Sequence, residues 1–292
     1  MAEQNRNMTD EALSQQLRRS RGGKWGGKLL SLLGVAIAVA GILLGGNLVL
    51  IVLGGIVLAL GQAVQSRSKE QAGQQTFDAM APDIAGTVLE NVQMNPTPPL
   101  LNAEDTNIPL PRHTYCSGSG YIRGVYRGST TELCTIKLTE EDEFLREETG
   151  LWEKNEREVY TGQWLLCQLN REFPTWLTIW PRGTLDKLSG GKTIKTGSGA
   201  FDKCFLLTGG DEAAVLRILT PNRLERLLAL SDASFGKFAV NLDPDGRLYL
   251  AVHSGRGFFQ IGKGRENPAQ LRERFVRELT WFTDMIDVFR SV

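Results

Sequence analysis

Histidine and cysteine are scarce in this chain. Its 292 residues include two histidines and four cysteines, and no two cysteines form a C-x-x-C pair. Scattered cysteines do not make the framework of a small secreted domain, and two histidines supply a histidine-based catalytic triad poorly. The sequence therefore predicts free, buried thiols in a reducing compartment. The four cysteines are Cys116, Cys134, Cys167 and Cys204.

The chain also lacks an excess of charge of either sign. Lysine plus arginine and aspartate plus glutamate both number 33. This balance argues against nucleic acid as a partner and against an acidic, disordered chain. One local exception is a basic segment within residues 18–28, which contains no acidic residue. Its positive residues are Arg18, Arg19, Arg21, Lys24 and Lys28.

Charged residues are absent altogether from residues 29–66. As one straight helix this stretch would extend roughly 57 Å, whereas the hydrocarbon core of a bilayer is about 30 Å thick. The sequence therefore predicts a transmembrane helical hairpin over residues 28–64, with helices near 28–44 and 48–64. The turn falls at Gly45-Gly46-Asn47, because glycine and asparagine adopt turn conformations at little cost.

Small residues recur at helical spacing in both arms of this hairpin. Small side chains let two helices approach closely in lipid, so these positions predict the packing face. The alternative is that glycine and alanine are simply frequent in membrane helices. The predicted packing residues are Gly34, Ala38, Gly41 and Gly45 in the first arm, and Gly55, Ala59 and Ala63 in the second.

The flanking charges predict how the hairpin is oriented. The basic segment precedes the first arm, and Arg67 and Lys69 follow the second. Because positive residues stay on the cytoplasmic side, both termini are expected in the cytoplasm. The chain is thus predicted to be a two-pass protein of the plasma (inner) membrane, with the lipid bilayer as a partner. The basic segment has a second interpretation, in which it binds anionic lipid headgroups.

Residues 65–111 are predicted to connect the membrane to a folded domain. Apolar residues at helical spacing indicate a stalk helix over 66–94. Five prolines follow within residues 95–111, which favours a semi-rigid linker. The predicted organisation is a basic segment (1–27), the hairpin (28–64), the stalk and linker (65–111) and a cytoplasmic domain (112–292).

The pattern in residues 112–292 predicts an α+β fold, an antiparallel sheet with packed helices. Asp243-Pro244-Asp245-Gly246 separates two alternating segments and indicates a β-hairpin. A helix begins at Pro221, and another runs from Pro268 to about Arg290 with Asn267 as its cap. The acidic segment 140–150 is expected to be helical or mobile. The predicted strands are 119–128, 131–138, 157–170, 175–181, 201–208 and 213–219.

The last helix carries a stripe of six large apolar residues. Each is worth about 1.5–3 kcal/mol when fully buried, so the stripe needs a surface to cover it. We expect it to dock on the sheet of the same domain. The alternative is a partner surface at Phe275, Phe282 and Phe289. The stripe comprises Leu271, Phe275, Leu279, Phe282, Ile286 and Phe289.

Motifs that would carry catalysis or bind a cofactor or metal are incomplete. The segment 188–193 resembles half of a phosphate-binding loop, but Asp186 occupies the position of its first glycine. His113, Cys116 and Cys134 have no fourth partner for a zinc site. The sequence therefore predicts no catalytic, cofactor or metal residue. An alternative is an enzyme whose site is scattered over strand ends and uses Asp202, Lys203 or His253.

Four segments of the domain resemble a known family. Residues 160–170 (YTGQWLLCQLN), 199–221 (GAFDKCFLLTGGDEAAVLRILTP), 223–230 (RLERLLAL) and 246–252 (GRLYLAV) are similar to an uncharacterised bacterial membrane family, domain of unknown function 3137. The resemblance implies a membrane helix pair, a stalk and a cytoplasmic domain, and no activity. The function expected is a non-enzymatic one, in which the domain binds another membrane-associated protein or a second copy of itself.

Overall fold

The chain divides into two compact units. The first comprises residues 1–81 and 259–273, and the second comprises residues 82–258 and 274–292. The structure is a computed structural model that describes residues 29–40, 42–43, 52–60, 77–78, 80–146, 151–183, 192–260 and 267–290.

The first unit contains a close pair of apolar helical stretches, at residues 29–43 (without 41) and 52–60. A Cβ atom added to Gly34 would lie 2.6 Å from the backbone nitrogen of Leu58. A Cβ atom added to Gly54 would lie 2.6 Å from the backbone nitrogen of Ala38. Two backbones can approach this closely only where side chains are missing.

The outer sides of these stretches expose aliphatic side chains. Leu43 is 80% exposed and Leu32 is 67% exposed. Within the described ranges, no helix combines the length and the apolar character that crossing a membrane requires. The predicted turn at residues 45–47 lies outside those ranges. The other exposed aliphatic residues include Leu29, Leu33, Val35, Val39, Ile42, Val52, Leu53, Ile56 and Leu60.

The second unit is built on an eight-stranded antiparallel sheet with packed helices, which confirms the predicted α+β class. The strand order is β1-β2-β3-β4-β8-β7-β5-β6. The strands are β1 (Glu90–Met94), β2 (Tyr115–Tyr126), β3 (Ser129–Arg146), β4 (Leu151–Gln168), β5 (Leu177–Pro181), β6 (Phe205–Gly209), β7 (Lys237–Leu242) and β8 (Arg247–His253). The packed helices are α1 (Gly199–Cys204), α2 (Glu212–Ile218), α3 (Pro221–Asp232) and α4 (Pro268–Arg290), of which α4 belongs to this unit from Arg274 onward.

One face of the sheet packs against α4. Phe238 of β7 lies 5.4 Å from Trp281, and Phe258 lies 5.2 Å from Phe282, measured between ring centroids. The cap predicted for α4 is confirmed, because Asn267 Oδ1 accepts from the amide of Gln270 at 2.9 Å and the amide of Asn267 donates to Gln270 Oε1 at 3.0 Å. Such a reciprocal box satisfies two amides that the first helical turn leaves free.

The opposite face of the sheet is covered by the proline-rich segment. Leu101, Ala103 and Ile108 are buried in one apolar cluster with side chains of β3, β4 and β8. The buried carboxylate of Glu132 holds the segment in place by accepting from the amides of Leu100 and Leu101 at 2.7 and 2.8 Å. Residues 95–111 lack α-helix, as their proline content predicts, but they form part of the domain core.

Four segments differ from their predicted conformation. Residues 90–94 form edge strand β1 instead of stalk helix, because pairing with β2 overrides a weak helical pattern. Residues 140–146 continue β3 instead of forming a helix. Their acidic side chains pair across the ladder with basic residues of β4, as in Glu140–Arg157 at 2.6 Å and Glu141–Lys154 at 2.7 Å.

The other differences concern two short helices predicted as strand. Ser198 Oγ accepts from the amide of Phe201, so residues 199–204 form α1, and strand β6 begins only at Phe205. Asp211 Oδ1 accepts from the amide of Ala214 at 3.1 Å and begins α2 at Glu212. Serine and aspartate at these positions are helix N-caps, a signal stronger than the β propensity of the residues that follow.

Strands β3 and β4 extend past their neighbours as a two-stranded ribbon. Residues 140–146 pair with 151–157, while the pairing of β2 ends at Thr139 and that of β8 ends at Gln163. Trp152 on this β3–β4 ribbon is 69% exposed. A large aromatic side chain is thus exposed on a part of the sheet beside which the described residues place no further strand.

Candidate functional site

A pocket of about 390 Å³ opens on the sheet face that the proline-rich segment covers. Its volume lies within the roughly 300–1,000 Å³ typical of small-molecule sites. We call it the Trp180 pocket. Its lining residues are Ile108, Pro109, Leu110, Pro111, Val159, Tyr160, Trp180, Pro181, Arg182, Lys237, Phe238, Ala239, Ala251 and His253.

Strands β7 and β8 form the floor of the Trp180 pocket. Ala239 is paired with Ala251, and Lys237 is paired with His253. Because side chains alternate along a strand, all four point to the same face. The two alanines fill little space between larger neighbours, so the covering segment leaves a hollow above them.

Tyr160 forms one wall of the pocket. Gly162 has no side chain, and Trp164 Nε1 donates to Tyr160 Oη at 2.9 Å across it. The ring of His253 lies 4.7 Å from that of Tyr160, between centroids, at an interplanar angle of 31°. Burial raises the pKa of the Tyr160 phenol, which keeps the hydroxyl protonated. Tyr160 is therefore a fixed, neutral wall rather than a base.

Trp180 forms the opposite wall, on β5. Its side chain is 2% exposed, and its buried Nε1 has no hydrogen-bond partner among the described residues. A buried donor without an acceptor costs about 1–3 kcal/mol. This wall therefore carries a donor that no acceptor in the described residues satisfies.

The rim of the Trp180 pocket is basic. Arg182 Nε donates to the carbonyl oxygen of Asp202 at 2.7 Å, and neither Arg182 nor Lys237 has an ion pair among the described residues. Burial, and secondly the positive charge of Lys237, lower the pKa of His253. Among the described residues of the lining there is no aspartate or glutamate. The rim thus presents two cations beside a neutral imidazole at neutral pH.

Two buried carboxylates outside the pocket have structural roles. Glu132 pairs with Arg123, whose Nη2 lies 2.6 Å from Oε2 and also donates to the carbonyl oxygen of Pro98 at 2.7 Å. Glu278 on α4 pairs with Arg256 and accepts from Gln163 Nε2 at 2.9 Å. These pairs connect the covering segment and α4 to the sheet, one on each face.

The predicted helix-packing residues are only partly those that make the close approach. Gly34 and Ala38 lie at it. In the second stretch Gly54 makes the contact, whereas a Cβ on Gly55 would meet nothing within 4 Å. Ala59 is exposed as well. Gly41, Gly45 and Ala63 lie outside the described residues.

The candidate partner surface on α4 is not exposed. Phe275 is 2% exposed, and Phe282 and Phe289 are 0% exposed. Phe282 packs against Phe235 and Phe258 of the same unit. The aromatic stripe is therefore part of the domain core, which is the docked arrangement that the sequence favours.

The residues considered for a scattered enzyme site do not converge on the pocket. His253 lines it, but Asp202 and Lys203 do not. The carboxylate of Asp202 accepts from the amide and hydroxyl of Thr196 at 3.1 and 3.0 Å, and Lys203 is exposed. His113 bonds through Nδ1 to the carbonyl oxygen of Pro111 at 2.9 Å.

Sequence reasoning does not identify the rim and walls of the pocket. Lys237, Ala239, Ala251 and His253 alternate along β7 and β8, so the shared face was readable from the predicted hairpin. The position of Trp180 beside them follows from the pairing of β5 with β7, for which no local signal exists. The pocket is therefore a product of the sheet order.

Fold and pocket together define an α+β domain with a site of small-molecule size. Residues 158–290 match the family described as "Protein of unknown function (DUF3137)", which confirms the resemblance over this range. Among curated proteins there is no match. A solved structure, the crystal structure of the mycobacterial trehalose monomycolate transport factor A, TtfA, is similar at 12% sequence identity over 60% of this chain and 75% of that chain, with a TM-score of 0.31. A likeness at that TM-score carries no functional argument.

Proposed function

We propose that this protein is anchored in a membrane by the hairpin 28–64 and that its α+β domain is a binding module rather than an enzyme. The observation that carries the anchor is the outward apolar surface of the two helical stretches, with Leu32 and Leu43 mostly exposed. Apolar area left in water costs about 25 cal/mol per Å², a cost that lipid removes. Glycines at the contact and leucines outside are what a helix pair in lipid requires.

The charges around the hairpin support a cytoplasmic domain. The basic segment precedes the helices, and Arg67 and Lys69 follow them. This distribution favours both termini on the cytoplasmic side of the plasma (inner) membrane. The free thiols of Cys134 and Cys167, both buried, suit that compartment.

The pocket supports binding over catalysis. Its lining is mostly aliphatic and aromatic, and the side chains considered for catalysis lie apart from one another. Burial raises the pKa of Tyr160 and lowers that of His253, so both are neutral at neutral pH. Of the three side chains considered for catalysis only His253 is among the described lining residues, so they do not form an acid–base pair in the pocket.

The β3–β4 ribbon supports a second contact, with a protein. Trp152 is 69% exposed, and tryptophan is enriched among the residues that dominate binding energy at interfaces. Charged pairs such as Glu140–Arg157 lie further along the same ribbon. A second copy of this chain or another membrane-associated protein is the expected partner.

The anchor is tested by reporter fusions and extraction. An enzyme that is active only in the cytoplasm should work when fused after residue 70, and one that is active only outside should not. The full chain should remain in the membrane pellet at alkaline pH. Release of the chain into the supernatant, or activity of the external reporter, would contradict the proposed anchor or its orientation.

The ribbon contact is tested by photo-cross-linking in cells. A photoreactive amino acid replaces Trp152 in the full chain, and a control chain carries it at Leu216, an exposed leucine on α2. A cross-linked species should form at position 152 alone. Its mass distinguishes a second copy, at twice the chain mass, from another protein. Equal cross-linking at both positions would refute a specific contact.

A further inference from the structure

We propose that the Trp180 pocket binds an amphiphile with one anionic head group and one apolar chain. The inference goes beyond the proposed function, and it does not depend on whether the helices lie in a membrane. It rests on three features of the pocket: an apolar hollow, a basic rim and the absence of acidic side chains from the lining residues that the structure describes.

The hollow fits an apolar chain. Ala239 and Ala251 are 8% and 4% exposed and form its floor, and the rings of Tyr160 and Trp180 stand on either side. Water gains few hydrogen bonds on such a surface, so an apolar group that displaces it is favoured. The proline-rich segment closes one side through Ile108, which gives the hollow a wall as well as a floor.

The rim fits one negative group. The Arg182 guanidinium is held through Nε by the carbonyl oxygen of Asp202, and its terminal nitrogens have no hydrogen bond among the described residues. An arginine fixed in this way presents planar donors that match a carboxylate or a phosphate. Lys237 adds a second positive charge on the neighbouring strand. Two cations suit one anionic head better than a polyanion.

The local electrostatics excludes the opposite charge. The lowered pKa of His253 has burial as its main cause and the charge of Lys237 as its second, and none of the described lining residues supplies a carboxylate to offset the positive charge of the rim. A cationic amphiphile of the same chain length would meet repulsion at this rim.

The test uses the full chain in nanodiscs of phosphatidylcholine and a ten-carbon carboxylate with a photoreactive diazirine near its tail. After irradiation, the label should map to peptides that contain residues 108–111, 160, 180 or 251. Lys237→Glu changes an exposed rim residue and should reduce the labelling about tenfold, because it removes a charged contact and adds repulsion. Lys195→Glu, an exposed lysine outside the lining, is the matched control and should label normally.

A second variant tests the hollow itself. Ala239→Leu places a larger side chain on the floor of the pocket. It should also reduce labelling about tenfold, because the apolar chain of the ligand then has no room. The melting temperature of each variant shows whether it folds. If Ala239→Leu does not fold, Lys237→Glu still tests the proposal, because it changes an exposed position. Labelling confined to residues 29–60, equal labelling by a diazirine-bearing decyltrimethylammonium, or unchanged labelling of the folded variants would overturn the proposal.

The anionic amphiphile can come from solution or from the bilayer, and competition with the photoreactive label distinguishes these two sources. Unlabelled decanoate that suppresses the label in phosphatidylcholine nanodiscs indicates a free carboxylate from solution. Suppression by phosphatidylglycerol built into the nanodisc indicates an anionic lipid of the bilayer. Both results support an anionic amphiphile, and failure of both to suppress the label overturns it. Reporter fusions test the membrane anchor independently of these measurements.

Discussion

Trp164 Nε1 donates a 2.9 Å hydrogen bond to Tyr160 Oη, and the bond passes over Gly162 between them. The three residues lie on one face of β4, at spacings of two. A Cβ at position 162 would lie 2.3 Å from Tyr160 Oη and 2.6 Å from the carbonyl oxygen of Val252. The wall of the pocket therefore depends on the missing side chain.

Replacing Gly162 by alanine should destabilise the domain. One of the two clashing groups is backbone of the neighbouring strand, which cannot rotate away, so a loss of about 1–3 kcal/mol is expected. Thermal unfolding of the detergent-solubilised full chain measures this as a lower melting temperature. Gly199→Ala is the control, because a Cβ there would meet nothing within 4 Å. Equal melting temperatures for the two variants would contradict the packing described for Tyr160.

His253 should titrate below an ordinary histidine, and Lys237 should contribute to the difference. Burial is the larger cause of its lowered pKa and the charge of Lys237 the second, so Lys237→Gln should raise the pKa part of the way towards about 6.5. Nuclear magnetic resonance of the histidine ring carbons measures it. The chain has two histidines, and His113→Gln leaves one signal to follow.

The lowered pKa also predicts how stability depends on pH. The unfolded chain binds a proton at His253 more readily than the folded chain does, so stability falls as the pH drops below about 6.5 and through the lowered pKa. His253→Gln should remove this contribution to the slope. A pKa that is unchanged by Lys237→Gln would show that burial alone accounts for the shift.

The parts of the fold that local signals predict are those where the local pattern and the tertiary role agree. The β7–β8 hairpin follows from Asp243–Gly246, and α4 follows from its cap at Asn267 and its apolar stripe. Strand β1 and the extension of β3 depend on the partners beside them, so their own residues predict another conformation. Helix α2 is predictable from its N-cap Asp211, but the apolar residues that follow it also fit a strand.

The site is less predictable than the fold. Its floor is a consequence of the β7–β8 register, which the hairpin turn sets, but its walls come from β4 and β5 and its cover from residues 108–111. Nothing local in the proline-rich segment shows that Ile108 packs on the sheet rather than serving as linker. The contact between Gly54 and Ala38 likewise differs by one position from the predicted face, because a run of adjacent small residues does not fix helix rotation.

Leucine substitutions at Gly54 and at Gly55 should have different effects on the packing of the two helical stretches. Gly54→Leu should separate the two backbones, because a Cβ at this position would already lie 2.8 Å from the Ala38 methyl carbon. The nuclear Overhauser effect between the Ala38 methyl group and the α proton of residue 54, measured in micelles, should disappear. Gly55→Leu should retain it. If both variants lose the contact, or neither does, the helix rotation described for Gly54 is wrong.

Replacing Phe282 tests whether the apolar stripe on α4 is part of the domain core or a contact surface for a partner. Its ring is fully buried and lies 5.2 Å from Phe258 and 6.1 Å from Phe235, between centroids. Phe282→Ala should therefore cost about 3–5 kcal/mol, the transfer free energy of the ring plus the cavity that it leaves. Arg277→Ala, at an exposed position of the same helix, should leave the melting temperature nearly unchanged.

The two interpretations of the stripe give opposite results in this pair of variants. If the phenylalanines are core, Phe282→Ala lowers the melting temperature of the full chain and leaves cross-linking through position 152 intact in the fraction that remains folded. If they are reserved for a partner, Phe282→Ala melts like Arg277→Ala and loses the partner instead. A ring that touches two other phenylalanines of its own unit has no surface left for a second chain, so the first result is expected.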